Sequence, residues 1–121
     1  MILALSLLIA AAPPDPVWLA GTWLQITEEG GRDLTACASG LPIAYAPDGT
    51  YALFEESGTW TLDGDRLTET ASAAHEDVVA PEEVALGTPF VSRIERVGPD
   101  EMRKTDAAGV TETLLRCPAV P

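Results

Sequence analysis

Residues 45–70 read YAPDGTYALFEESGTWTLDGDRLTET, and two Asp-Gly pairs punctuate them. Asp48-Gly49 follows Pro47, which fixes φ, while the glycine supplies a positive φ; this is turn chemistry. Asp63-Gly64 is the strongest short hairpin signal a sequence carries. Between and after these turns, apolar and polar residues alternate with period two. Residues 50–56 put Tyr51 and Leu53 on one face and Ala52 and Phe54 on the other. Ser57-Gly58 interrupts the run, 59–62 resumes it with Trp60 and Leu62 sharing a face, and 66–70 returns. Connections this short leave one arrangement: neighbours in sequence pair antiparallel.

The rest of the chain follows the same plan. Residues 22–27 are strand formers bounded by Gly21 and by Gly30-Gly31, and residues 43–46 form a short strand ahead of Pro47. Residues 33–42 are irregular. Residues 71–89 are rich in small and acidic types with two prolines, which predicts a long loop holding one helical turn. A meander closes the chain, with strands over 90–97, 101–105 and 110–117 separated by turns at 98–100 and 107–109. Long helical periodicity is absent. About eight short antiparallel strands predict an all-β fold, a small up-and-down barrel that leaves no open edge; a sandwich is the alternative.

At 121 residues the chain is one domain. Residues 1–12 are uncharged and apolar or small, too short for the roughly 20 residues a membrane-spanning helix needs. They read as a secretory signal peptide with cleavage near Ala11. Residues 13–20, with Pro13, Pro14 and Pro16, read as an extended leader, and 21–121 as the barrel. Export predicts a periplasmic or secreted protein. It also predicts that the two cysteines, Cys37 and Cys117, form a disulfide tying an early loop to the last strand.

Seven basic residues against 19 acidic ones give a net charge of −12. No basic stripe exists, so nucleic acid is excluded as a partner, and so is attraction to an anionic membrane. Asn is absent, so no N-glycosylation sequon exists.

With the strands in place, the chain resembles the lipocalin-like small barrels of the calycin type found in exported bacterial proteins. The likeness rests on Gly21-Thr22-Trp23, on PDGTY at 47–51, on GTWTLDGDRLT at 58–68 and on Arg116-Cys117 in the last strand. It implies that Trp23 packs at one end of the barrel with Arg116 across it, a structural pair worth about 0.5–2 kcal/mol as a cation–π contact. A second likeness is to small secreted protease inhibitors built on the same barrel, which also begin near AGTW and carry one disulfide.

Motifs for chemistry are missing. His75 is the lone histidine, and His75-Glu76-Asp77 has no metal-ligand spacing. Asp63-Gly64-Asp65 lacks the remaining positions of a calcium loop, and a hairpin explains it. No nucleophile elbow or phosphate loop is present. The sequence therefore predicts a protein that is not an enzyme, with no catalytic residues, no metal and no cofactor. Tyr45, Tyr51, Leu53, Trp60, Leu62, Phe90, Ile94 and Met102 recur at alternating positions and are the candidate lining of an interior pocket, or simply core. The expected function is non-catalytic binding, of a small apolar molecule inside the barrel or of a protein partner at its rim.

Overall fold

The structure is a computed structural model that describes residues 12–27, 31–39 and 42–118. The signal peptide expected at 1–12 lies, apart from Ala12, outside the described residues. Eight strands close into one barrel in sequence order. They are β1 (Gly21–Ile26), β2 (Ile43–Tyr45), β3 (Thr50–Ala52), β4 (Glu56–Asp63), β5 (Arg66–Ala74), β6 (Pro89–Gly98), β7 (Glu101–Asp106) and β8 (Thr111–Arg116). All neighbours are antiparallel, and β1 pairs with β8 to complete the ring, Trp23 lying opposite Arg116. The all-β, up-and-down barrel expected from the turns is the fold observed.

The inner face follows period two. Trp23, Tyr45, Tyr51, Trp60, Leu67, Ile94, Met102 and Leu114 form the core with Trp18 and Leu19. The alternate positions carry Thr59, Thr61, Arg93, Glu95 and Arg103, which are exposed. A polar outside around an apolar inside is the reverse of a membrane-spanning barrel. No described helix is long and apolar enough to cross a membrane.

Two local departures from the expected pattern have clear causes. Ser57-Gly58 does not end a strand; it is a bulge inside β4, where the register with β5 shifts. A Cβ at Gly58 would sit 2.0 Å from the Thr70 carbonyl, so only glycine lets the two backbones approach this closely. Anchored by this pairing, β5 runs on to Ala74, well into the segment expected to be loop. That segment's one helical turn is Pro81–Glu83.

Residues 16–19 differ too. They form a helical turn, α1 (Pro16–Leu19), in place of an extended leader. Pro16 suits the first helical position, and the Asp15 side chain caps the turn by accepting from Trp18 N at 2.9 Å. The turn closes one end of the barrel. Trp18 packs edge-on against Trp23 with centroids 5.2 Å apart and donates its indole N–H to the Pro99 carbonyl at 3.0 Å. Trp23 donates to the Leu19 carbonyl at 2.8 Å. The Arg116 guanidinium lies 4.4 Å from the Trp23 ring centre. It donates to the carbonyls of Ala20 (3.0 Å), Trp18 (2.5 Å) and Pro99 (3.3 Å) and to Asp100 (3.0 Å). Gly21 makes room for this fork: at φ +136° it lies where a Cβ would meet Nη1 at 2.7 Å.

Cys37 and Cys117 are disulfide-bonded. Cys37 sits in a 3-10 turn (Thr35–Ala38) on the β1–β2 connection, and this turn packs against β1. Cys117 follows β8 and donates its backbone N–H to the Thr22 carbonyl at 2.8 Å. The disulfide fixes this turn beside the β1–β8 junction. Leu24 and Leu115 pair there on the outer face, and both are buried.

Candidate functional site

The barrel is filled at the α1 end and open at the other. The open end is framed by the connections after β3, β5 and β7. Between them lies a cavity of about 500 Å³. Trp23 and Leu114 are its deepest core residues. Ile43, Leu53, Ala71, Ala85, Thr88 and Phe90 line its sides, and Gln25, Tyr51, Glu55, Glu56, Glu69, Lys104 and Glu112 add polar groups.

A buried charge cluster forms one wall. β5 places Glu69 inward between Leu67 and Ala71, and β7 places Lys104 two residues beyond Met102. Lys104 Nζ lies 2.8 Å from Glu69 Oε1, with both side chains nearly buried (12% and 7% exposed). Tyr45 donates its hydroxyl to Glu69 Oε2 at 2.7 Å and accepts from Lys104 Nζ at 3.2 Å. Each charge therefore has two partners, which burial of an ion pair requires. Beside this cluster Tyr51 donates to Glu56 Oε2 at 2.5 Å. Both phenols are held above their ordinary range. For Tyr45 the cause is burial first, then the charge of Glu69 and its hydrogen bond, with Tyr51 and Glu112 adding to it. For Tyr51 it is burial, then the hydrogen bond and charge of Glu56, then Glu69.

The expected lining separates into two groups. Tyr51, Leu53 and Phe90 line the cavity. Tyr45, Trp60, Ile94 and Met102 are buried in the packed core, and Leu62 packs against it. Trp60 is fixed there by its indole N–H to the Ala46 carbonyl at 3.0 Å. Apolar periodicity alone does not mark the polar lining residues. Their signal is parity: Gln25 follows Trp23 by two, Glu69 follows Leu67, Lys104 follows Met102, and Glu112 precedes Leu114. Each stands on the inward face of its strand and nearer the mouth than its apolar partner.

The mouth carries both acidic and apolar side chains, with Glu55, Glu76, Asp77, Glu82 and Glu83 exposed on the same connections. Phe54, Val78, Leu86, Phe90 and Val110 are all substantially exposed on the connections and strand start at this end. His75 holds two of these connections together, its Nδ1 lying 3.0 Å from the Phe54 carbonyl and its backbone N–H donating to the Glu55 carbonyl at 2.8 Å. The histidine thus has a structural task at the rim. No group of three or more potential metal ligands occurs among the described residues. No family model, no curated protein and no solved structure matches the chain.

Proposed function

We propose that this is an exported, lipocalin-like binding protein that holds a small molecule in the open half of its barrel, without catalysis. The observation that carries the reading is the asymmetry of the interior. One end is packed by α1, Trp23 and Arg116, while the other keeps a cavity of about 500 Å³ lined about equally by apolar and polar side chains. That size suits small-ligand sites. The Arg116–Trp23 stack supports the calycin likeness, and the disulfide supports an oxidising compartment.

The test is uptake of the neutral fluorescent probe N-phenyl-1-naphthylamine. It should bind with one-to-one stoichiometry and quench Trp23, which borders the cavity. Ala85→Trp puts an indole into the cavity from an exposed position and should abolish uptake. Absence of uptake by the parent, or undiminished uptake by Ala85→Trp, overturns the reading.

A second reading, docking of a protein partner at the rim, is favoured by one observation: the exposed apolar side chains Phe54, Val78, Leu86, Phe90 and Val110 share the open end. Replacing Phe54 and Val110, neither of which lines the cavity, with Ser separates the two. Loss of a co-purifying protein with probe uptake retained would place function at the rim.

A further inference from the structure

The ligand's chemical class can be read from the charge of the cavity, and the inference rests on the cavity being a ligand site, as proposed above. Four carboxylates line it, Glu55, Glu56, Glu69 and Glu112, against one ammonium, Lys104. Lys104 is already committed to Glu69 and to the Tyr45 hydroxyl. Glu56 accepts a hydrogen bond from the Tyr51 hydroxyl, a neutral partner. Glu112 stands opposite Lys104 across the β7–β8 ladder, and among the described residues neither Glu112 nor Glu55 makes an ion pair. The lining therefore carries a net charge of −3.

Glu112 lines the cavity from β8, opposite Lys104 on β7. An anionic ligand entering this space would meet three carboxylates whose charge is not balanced. The apolar side chains at the mouth, with Phe90 half-exposed there, would strip its water on the way in. A cation meets the opposite situation. Phe90 lines the same space half-exposed, and its ring face attracts ammonium groups. Leu53 and Ile43 offer hydrocarbon surface beside it.

We propose that the cavity takes an amphiphilic organic ammonium ion, a protonated primary amine on an apolar body, its head against Glu112 and its body along Leu53 and Phe90 toward the mouth. The polar head points into the barrel, and the apolar body meets the apolar side chains exposed at the mouth.

Isothermal titration calorimetry of the full chain with n-octylammonium, 1-octanol and octanoate tests this at low ionic strength. The ammonium should bind about tenfold or more tighter than the alcohol, and octanoate weakest. Glu112→Gln should shrink the ratio of ammonium to alcohol affinity about tenfold. Because this is a ratio within one variant, a general loss of fold cannot mimic it. If the alcohol or octanoate binds as tightly as the ammonium, or the ratio is unmoved by Glu112→Gln, the amine assignment fails and the cavity reading stands. If none of the three binds, both fail.

Discussion

Arg116→Ala tests the closed end of the barrel. The guanidinium is three-quarters buried and serves the carbonyls of Ala20, Trp18 and Pro99 while covering the Trp23 ring. A hydrogen bond from a charged donor contributes about 1.5–3 kcal/mol net, and less where water can replace it. The carbonyls of Ala20 and Trp18 are part-buried and lose their partner, whereas the Pro99 contact is exposed and long. Counting the first two at about 1 kcal/mol each after that discount, and the stack at about 1, the loss comes to about 3 kcal/mol. The Asp100 pair adds little, because Asp100 is 71% exposed. For a domain of this size the melting temperature should fall by about 15 °C. Arg116→Lys keeps the charge but lacks the planar fork, and should recover no more than about 1 kcal/mol. Urea melts of parent, Arg116→Ala and Arg116→Lys give these numbers directly. If Arg116→Ala lies within about 0.5 kcal/mol of the parent, or Lys restores full stability, the fork does not hold this end of the barrel.

Two further outcomes follow from the buried cluster. Lys104→Met should destabilise by about 3 kcal/mol by stranding Glu69, while the double variant Lys104→Met, Glu69→Leu should recover most of it; chemical denaturation of both, with equal losses, would refute the pairing. Both tyrosines have folded-state pKa values above their ordinary value of 10.0, so at high pH the unfolded chain loses protons that the folded one keeps. Stability is therefore full below about pH 10 and declines above it. Absorbance at 295 nm should show no phenolate until the chain unfolds, and a phenolate signal preceding loss of circular dichroism would contradict the burial of Tyr45.

The elements written in local chemistry were legible. Gly64 adopts φ +62° between β4 and β5, as the Asp63-Gly64 pair demands, and Gly49 adopts φ +91° in the turn before β3. The disulfide followed from two cysteines in a chain read as exported. What stayed hidden depends on contacts distant in sequence. Gly58 looks like a break until the Thr70 carbonyl is beside it. The turn at Pro16–Leu19 is four residues long and exists because Trp18 and Leu19 find a barrel end to fill. The division of the aromatic and aliphatic residues into core and cavity wall depends on depth along each strand, which period two does not encode. Glu69 and Lys104 read as two ordinary surface charges unless both are placed on the inward parity of strands that meet across the barrel.

The β1–β8 pairing differs from every other in the ring. The other seven are formed by consecutive strands, while this one joins the two ends of the chain. If it parted, the barrel would become an open sheet with two bare edges. Such edges recruit further strands and seed aggregation. Cys117 lies immediately after β8, and Cys37 reaches it from a turn packed on β1, so the covalent bond straddles that junction. The bond therefore works as a latch against polymerisation as well as a contribution to stability. An oxidised molecule whose β1–β8 ladder parts still holds the two strands within reach of each other.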